Sequence, residues 1–561
     1  MINKEPFIEV SHDPVACWEE WTAIGEEIRR TIAAKGKPKV VIAVECFQGT
    51  YNEINLTALK EALSPNATCQ TEDIYKNEGE IRQLVRKDLN FQSQTAKVST
   101  NTIDDYFDED KLRALQSNIS FLDEGVILIY GIGAYKIGDP DVLIYSDMSR
   151  HEILQRFRRN DISNIGVNNQ EDAFDLQHAW SYFIDWRICD RIKKQVIKKC
   201  DYFLESNNWQ KPKLAAGDVV RGGFDQALKQ PIFMAPFFDP ELWDENAPGA
   251  KGKEDFAWGF NCDIEEDNIL LKIGESLMEF PAINLLYYQP VGLLGDSIYR
   301  KFGSDVPVRL NFIDGTETEN HLSLSVYPGA DFLMDNYGTR YQQVENYYIM
   351  DVESNAQMLA GLREDVANEY LRERIIEGQR DEITKLLDQI RLTKHDHLAI
   401  PQEIIHSGGD GAIMLHVSTA PSIFKAKVYD EKRLRTTTGK QLETLIDRIC
   451  HSPACRISKN NVSSAAYAAY MQEQLSPEEN SQVKISRIWF EDVLELPPVN
   501  VFQVFNLIEG DEIHVVSSNG DFKPFVVHYA ETFLLPAGIG KFEIKSKDGG
   551  QNGLLRVVAN V

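Results

Sequence analysis

The chain has 561 residues, of which 43% are hydrophobic, and this length exceeds what a single hydrophobic core fills, so several domains are expected. Its 59 Lys and Arg stand against 86 Asp and Glu, and the net charge of −27 excludes a general binder of nucleic-acid backbones. No apolar run approaches the roughly 20 residues that cross a membrane, and the N-terminal stretch lacks an export signal, so we expect a cytoplasmic protein.

The first part of the chain alternates apolar runs with helical patterns. The run at 39–45 is followed by a turn and by helical spacing of apolar residues through 54–63. Two further apolar runs lie at 125–135 and 141–148. This alternation is typical of a parallel sheet covered by helices on both faces, and we assign residues 1–215 to an α/β domain.

The loop after the first apolar run, "ECFQGTYNEI", bears on nucleotide chemistry. It has one glycine, Gly49, and lacks the Lys and the magnesium-site Ser or Thr of the phosphate-binding pattern G-x-x-x-x-G-K-[ST]. We therefore exclude ATP-driven phosphoryl transfer. The basic helix predicted at 151–159 leaves weak binding of a nucleotide or another anion open, and a role in packing or dimerisation is the alternative that we favour.

After residue 215 the sequence predicts a β-rich region. Pro and Gly become more frequent, and short strand-like runs are separated by turn signals. We assign 216–362 and 393–440 to one β domain and 441–561 to a second. Between the two parts of the first, residues 363–392 predict a charged helical insertion with a solvated face.

One predicted strand, "HLSLSVYP", carries polar side chains on one face. Alternate residues of a strand point the same way, so His321, Ser323, Ser325 and Tyr327 share a face. This face lines either a cavity or the solvent boundary, and the pattern alone leaves both open.

Several segments resemble the class I mannose-6-phosphate isomerases, zinc enzymes of the cupin fold. They are "VPVRLNFIDGTETENHLSLSVYP", "VENYYIMD", "KHDHLAIPQEIIHSGGDGAIMLHVSTAPSIFKAKVYDEKRLR" and "FVVHYAETFLLPAGIGKF". The segment "WSYFIDWRICDRIKK" is similar to the long bacterial branch of this family, which carries an N-terminal domain like uridine kinase. The resemblance implies a P-loop-kinase-like α/β domain without its P-loop, followed by two cupin (double-stranded β-helix) domains with a helical insertion.

The resemblance also implies where a metal would lie. The family's ligand positions fall on Ser325, Tyr327, Glu345 and His406, and the first two are poor ligands for zinc. His416 stands where the family has a Glu. We expect the turn "SGGDG" to place His406 and His416 on paired strands near one cavity, where Glu345 and the two His would suit zinc, iron or manganese. The alternative is that these residues bind no metal.

An anion site is implied by the segment "YDEKR", which keeps the Arg of a family motif as Arg433. This Arg is expected to hold a phosphate or an enediolate, unless it pairs with Glu431. Lys425 and Lys427 alternate on the preceding strand and are reserve cations. Tyr327 is a candidate acid, with core packing as the alternative.

The resemblance thus implies an isomerase that converts mannose 6-phosphate to fructose 6-phosphate through an enediol, with Arg433, Tyr327 and His416 as candidate catalytic residues. The alternative is a cupin that has lost catalysis and binds a sugar phosphate or a partner as a sensor. New metal chemistry such as oxygenation is a third hypothesis. The expected partner is a small sugar phosphate, with neither nucleic acid nor membrane, and a homo-oligomer is left open.

Overall fold

The structure is a computed structural model of the chain. It describes residues 5–10, 16–90, 95–235, 261–316, 324–339, 343–377, 380–429, 458–460, 462–475 and 482–560. The described residues form two compact units. The first unit comprises Pro6–Ala227 and Glu265–Gln289, and the second comprises Leu228–Ile264 and Pro290–Val561 together with the N-terminal residues before Pro6.

The first unit is a mixed α/β fold. Its strands are β1 Phe7–Val10, β2 Cys17–Glu19, β3 Lys39–Cys46, β4 Ala67–Gln70, β5 Leu89–Asn90, β6 Thr95–Ala96, β7 Gly125–Gly131, β8 Val142–Asp147, β9 Tyr202–Glu205, β10 Lys213–Ala216, β11 Asn268–Ile273 and β12 Ser276–Pro281. Its helices are α1 Glu20–Lys35, α2 Asn52–Leu63, α3 Glu78–Val85, α4 Glu109–Phe121, α5 Ala134–Ile137, α6 Arg150–Arg158, α7 Phe174–Trp180, α8 Trp186–Val196, α9 Gly217–Ala227 and α10 Ile283–Tyr288.

The main sheet of this unit has seven strands in the order β2-β10-β9-β8-β3-β7-β4. The strands from β9 to β4 are parallel, and β10 and β2 add an antiparallel edge. β3 and β8 are buried along nearly their whole length, which is why their sequences read as continuous apolar runs. The predicted parallel sheet is confirmed, whereas the likeness of this domain to P-loop kinases is not confirmed.

The connections that follow β3 and β7, two neighbouring strands at the centre of this sheet, lead in opposite directions. From β3 the chain passes through α2 to β4, which lies beyond β7, and from β7 it crosses to β8 on the other side of β3. Where neighbouring parallel strands lead to opposite sides, their carboxyl ends open a crevice, and α/β folds bind ligands at this point.

The boundary of the first unit differs from the predicted one at residue 215. Helix α9, strands β11 and β12 and helix α10 belong to the first unit rather than to a cupin domain. The reason is a pairing between distant segments: β1 runs parallel to β11, with Phe7 opposite Leu270, and β12 extends this sheet. Local sequence patterns do not reveal such a pairing.

The second unit is dominated by strands. Its helices are α11 Pro290–Leu294, α12 Asp296–Phe302, α13 Ala330–Tyr337, α14 Asn368–Ile376 and α15 Arg380–Thr384. Its first strands are β13 Arg309–Asp314, β14 Leu324–Val326, β15 Val344–Leu362, β16 Leu387–Arg391, β17 His397–Pro401, β18 His406–Ser418, β19 Ala426–Tyr429 and β20 Ser458–Lys459. These eight strands form one sheet whose central pair is β15 and β18.

The predicted helical insertion at 363–392 is only partly helical. It contains α14 and α15, but its last residues form β16, which pairs with the far end of β15. The side chains of β16 alternate between the core and the surface, beginning with buried Leu387. The alternation that is typical of a strand is difficult to recognise in the sequence because charged residues flank this segment on both sides.

The C-terminal block predicted at 441–561 is β-rich where it is described. Its strands are β21 Ser463–Ala466, β22 Tyr470–Gln474, β23 Val483–Phe490, β24 Val493–Leu494, β25 Gln503–Glu509, β26 Glu512–Ser517, β27 Phe525–His528, β28 Thr532–Leu535, β29 Phe542–Ser546 and β30 Asn552–Ala559. They form a six-stranded and a four-stranded sheet whose inner faces share one hydrophobic core. None of the described helices is long and apolar enough to cross a membrane.

Candidate functional site

Glu345, near the start of β15, is the centre of a buried polar cluster in the second unit. Its Oε2 atom directly contacts Nε2 of His406, and its Oε1 atom lies 2.9 Å from Nε2 of His416. The Lys425 ammonium lies 3.4 Å from Oε1. The Glu345 and His406 side chains are 2% and 1% exposed, while Lys425 reaches towards solvent with 25% of its side chain exposed. The structure thus brings together Glu345, His406 and His416, as the sequence predicted.

The two His reach this point by a different route from the predicted one. We expected a turn at "SGGDG" and two paired strands, but His406 and His416 lie on the same strand, β18. In a straight strand they would be about 33 Å apart, so β18 must bend strongly for both rings to meet one carboxylate. The left-handed conformation of Gly411 (φ 69°) lies between them, and the pairing partner on β15 jumps there from Val352 to Gln357. The glycines therefore bend the ribbon of β15 and β18 without ending it.

Tyr347 completes the cluster and was not identified from the sequence. It lies opposite His416 in the strand register, and the two rings stack with centroids 4.7 Å apart and planes at 21°. Its hydroxyl lies 3.0 Å from Nε2 of His406. Because Tyr347 follows Glu345 by two residues on one strand, the period of two could have placed both on the same face.

Charge within the cluster favours an ionised Glu345. Burial raises the pKa of this carboxyl, but the attraction of His406 and Lys425 and the close contacts of both His rings outweigh burial and hold the pKa well below its usual value. Burial lowers the pKa of His416 despite its contact with Glu345. At neutral pH the cluster therefore holds a carboxylate beside an uncharged His416 ring.

The orientation of His406 is fixed from behind. Its Nδ1 lies 2.9 Å from the carbonyl oxygen of Ile404, and since a carbonyl only accepts, Nδ1 carries a proton. Nε2 therefore faces both Glu345 and the Tyr347 hydroxyl. Such a backbone contact to the second nitrogen is the usual way in which proteins hold a functional imidazole in place.

Two buried atoms at the centre of the cluster have no hydrogen-bond partner. Oε2 of Glu345 and Nε2 of His416 each lie against a polar neighbour, but the angles of these contacts are not those of hydrogen bonds. Buried polar groups are nearly always satisfied, so unsatisfied ones call for an explanation. A ligand that reaches these two atoms is one.

The residue types of this cluster suit a metal ion, but their spacing does not. Atoms that coordinate one zinc ion at about 2.0 to 2.3 Å lie about 3 Å or more from each other. Glu345 instead contacts both His rings directly, so these side chains pair with one another rather than surround a common centre. Among the residues that the structure describes, no group of three or more His, Cys, Asp or Glu is arranged to hold a metal. The expected set of Glu345, His406 and His416 is thus present without the geometry of a metal site.

Ser325 and Tyr327, the remaining positions implied by the resemblance, border the cluster. Ser325 on β14 lies opposite His406 in the strand register, and both Ser325 and Tyr327 are buried. The Lys425 ammonium lies 5.4 Å from the centre of the Tyr327 ring. The polar strand face therefore lines the interior rather than the solvent boundary, as far as its described part extends.

Of the predicted cations, only Lys425 can be placed at the cluster. Lys427 pairs through its backbone with Ser325, on the other side of β14 from β18. Arg433 and Glu431 lie outside the described residues. The proposed phosphate contact of Arg433 therefore stays a prediction.

Comparison with known proteins gives two separate likenesses. A family model described as a domain of unknown function (DUF8485) matches residues 20–229, which is less than half of the chain. None of the curated proteins is similar to the chain.

Among solved structures, the mannose 6-phosphate isomerase from Bacillus subtilis is 17% identical, with a TM-score of 0.44 over 58% of this chain and 99% of that chain. A variant of the phosphomannose isomerase from Salmonella typhimurium is 10% identical, with a TM-score of 0.40 over 60% of this chain and 100% of that chain. A mannose 6-phosphate isomerase bound with zinc and yttrium is also 10% identical, with a TM-score of 0.35 over 51% of this chain and 87% of that chain. At TM-scores and identities this low, the likenesses by themselves assign the chain neither to a family nor to an activity.

Proposed function

We propose that the second unit binds a small polyhydroxylated ligand of the sugar-phosphate class at the Glu345 cluster and does not isomerise it. The observation that carries this proposal is the pair of buried atoms Oε2 of Glu345 and Nε2 of His416, whose contacts with the neighbouring side chains do not have the angles of hydrogen bonds. A hydroxyl group donates to a carboxylate and a second one can donate to or accept from a neutral imidazole. A sugar with adjacent hydroxyls would therefore satisfy both atoms at once.

The phosphate part of this proposal rests on Lys425 and on the resemblance. Lys425 is the described cation at the cluster, and it extends from buried Glu345 to the surface. A phosphate at the surface end of Lys425 would remain hydrated while the sugar hydroxyls reach inward. Arg433, where the resemblance implies a phosphate contact, would add a second cation.

The electrostatics argue against isomerisation. Moving a proton between adjacent carbons requires a base of suitable pKa and a group that stabilises the developing oxyanion. The pKa of Glu345 is held well below normal by His406 and Lys425 against the effect of burial, which makes Glu345 a weak base. Ser325 and Tyr327 stand where the resembling enzymes have metal ligands, and the spacing between Glu345 and His406 does not fit an ion.

The second candidate is a phosphosugar isomerase with an altered site, and one observation favours it. Burial lowers the pKa of His416, so this residue is an uncharged imidazole, and its ring stacks on the ring of Tyr347. In this candidate His416 would accept the proton from carbon. The Tyr347 hydroxyl would donate a proton to the carbonyl oxygen, which becomes the enediol hydroxyl.

Binding and turnover measured together distinguish the two candidates. We expect mannose 6-phosphate or fructose 6-phosphate to bind the purified full chain in calorimetry, without interconversion in a coupled assay. Glu345→Gln should weaken binding at least about tenfold, which is about 1.4 kcal/mol. Glu353→Gln, an exposed position on the same strand, is the matched control and should bind as wild type.

A second variant guards against misfolding of Glu345→Gln. Lys425→Ala removes a partly exposed side chain and should weaken binding of the phosphorylated sugar but not of the free sugar. If the wild-type chain converts mannose 6-phosphate and Glu345→Gln abolishes this turnover, the protein is an isomerase and the binding proposal is wrong. Equal affinity of wild type and both cluster variants would place the ligand elsewhere.

A further inference from the structure

The first unit contains a crevice of about 720 Å³ at the carboxyl ends of its parallel strands. Its walls come from the loop between β3 and α2, the segment between β4 and α3, the loop after β7 and residues 161–170. This is the point where the connections of β3 and β7 leave to opposite sides of the sheet, which is where α/β folds bind ligands. The volume suits a small organic molecule.

We propose that this crevice binds a small organic cation that carries several N–H donors, such as an alkylamine or a guanidinium compound. The proposal rests on an unpartnered buried acceptor at the crevice, on the charge of its walls and on the absence of a free cation among its described lining residues. Each of these observations concerns the first unit alone, and none depends on the function proposed for the second.

The unpartnered acceptor is Oε1 of Gln48. Gln48 lines the crevice and is 1% exposed. Its Nε2 donates to Oδ2 of Asp185 at 2.8 Å, which identifies Oε1 as the carbonyl end of the amide, and this oxygen has no hydrogen-bond partner. A buried acceptor without a donor is costly to the fold, and a ligand N–H would satisfy it.

Asp185 holds Gln48 in this orientation. Its Oδ2 also accepts from Nδ2 of Asn164 and from the backbone N–H of Ile165, both of which line the crevice. Asp185 ends a π-helical turn, Ser181–Asp185, between α7 and α8. Such turns inside helices are frequently found at functional sites.

The charges on the crevice walls favour a cation. Its charged lining residues are four carboxylates and one ammonium: Glu53, Glu72, Glu78, Asp161 and Lys76. Two of the carboxylates are already paired, Glu78 with Arg82 at 2.8 Å and Asp161 with Arg159 at 2.9 Å.

The other two carboxylates, Glu53 and Glu72, have no cationic partner in the described structure; Glu72 accepts only from the amide of Asn52. Glu53 and Glu72 are both exposed, so they lie towards the opening of the crevice, while Gln48 lies at its buried end. A cation would thus meet charge first and an amide oxygen further in.

A phosphate is disfavoured because the nearby cations are already engaged. The ammonium of Lys76 donates to the carbonyl oxygen of Asp105 at 2.6 Å. Arg156 on α6 is fully buried and donates to Glu152 and to the carbonyl oxygen of Gly49 at 2.7 Å, while its guanidinium covers the Tyr51 ring. The loop after β3 therefore presents a carbonyl to a cation where a phosphate-binding loop presents N–H groups to an anion. The weak anion site considered for the helix at 151–159 is not supported at Arg156.

The test is calorimetry on the full chain at low ionic strength with four probes: agmatine, putrescine, choline and AMP. We expect agmatine and putrescine to bind, choline to bind at least about tenfold more weakly because it has no N–H donor, and AMP not to bind. Glu53→Gln and Glu72→Gln, both at the exposed opening, should each weaken agmatine binding several-fold. Glu61→Gln, an exposed residue of α2 outside the crevice, is the matched control and should leave it unchanged.

Gln48→Leu should abolish agmatine binding, and the two opening variants decide the matter if Gln48→Leu does not fold. Absence of binding by agmatine and putrescine overturns the proposal. The proposal is also overturned if choline binds as tightly as putrescine, or if AMP binds as tightly as agmatine. It is overturned as well if Glu53→Gln and Glu72→Gln leave agmatine binding unchanged.

Discussion

The rings of Tyr347 and His416 stack face to face across neighbouring strands, with centroids 4.7 Å apart and planes at 21°. Because Tyr347 also directs its hydroxyl to His406, at 3.0 Å from Nε2, a single phenol connects the two imidazoles that flank Glu345. The cluster is therefore a closely packed polar unit in which no side chain is oriented independently. Changes to one member should be felt at the others.

Tyr347→Phe isolates the role of the hydroxyl. The ring stack with His416 is retained and the contact with His406 is lost, so we expect a fall in the free energy of unfolding of about 1 kcal/mol and weaker binding of the sugar phosphate. Urea denaturation and calorimetry measure the two effects.

The matched control for this change is Tyr348→Phe, which removes the neighbouring hydroxyl that contacts Nδ1 of His395 at 2.8 Å, outside the cluster. It should lower stability to a similar extent and leave ligand binding unchanged. Equal losses of binding in the two variants would show that the Tyr347 hydroxyl acts through general stability.

Gly411→Ala tests the bend that brings His416 to Glu345. The φ of Gly411 is 69°, a conformation that alanine adopts with strain, although a Cβ there would meet no atom closer than 3.4 Å. We expect a loss of about 1 kcal/mol or more in the free energy of unfolding, together with weaker ligand binding because the two ends of β18 are displaced.

The control for the bend is Gly550→Ala, at a position with ordinary φ and no atom within 4 Å. It should change stability little. If Gly411→Ala is as stable as Gly550→Ala and binds ligand normally, the bend does not depend on the glycine.

Asp185 should make the stability of the first unit depend on pH. Burial raises its pKa from 3.8 to about 7, against the hydrogen bonds from Asn164, Ile165 and Gln48 that lower it. The folded state therefore holds a proton that the unfolded state releases, so this contribution to stability is fully present below pH 3.8 and is lost as pH rises through about 7.

Asp185→Asn mimics the protonated acid and should remove this dependence. Thermal unfolding should show the variant more stable than wild type above pH 7, with the difference disappearing towards pH 4, close to the ordinary pKa of 3.8. A constant difference across this range would mean that Asp185 titrates normally in the folded protein.

Parts of this structure follow from local patterns. The parallel sheet was predictable because β3, β7 and β8 are short apolar runs followed by helices. A strand that is buried on both faces has a nearly continuous apolar sequence. The pairing of β1 with β11 was not predictable, since the two segments are separated by most of the first unit and each is an ordinary short strand.

The Glu345 cluster was likewise predictable from the sequence only in part. The resemblance placed Glu345 and His406 together, and the period of two could have added Tyr347. The path of β18 could not be read from "SGGDG", because glycines permit either a turn or a bend and the outcome depends on pairing with β15. The crevice depends on Gln48 meeting Asp185, an encounter between residues far apart in the chain.

The claim that the Glu345 cluster is not the metal site of an isomerase is tested most directly by the metal content of the purified chain, measured by elemental analysis on wild type and His406→Ala after dialysis against a weak chelator. The direct contact of Glu345 with His406 predicts no stoichiometric zinc, iron or manganese in either protein. About one metal ion per chain in wild type that is lost in His406→Ala would contradict this account, because Glu345, His406 and His416 would then be metal ligands and the isomerase would become the better proposal.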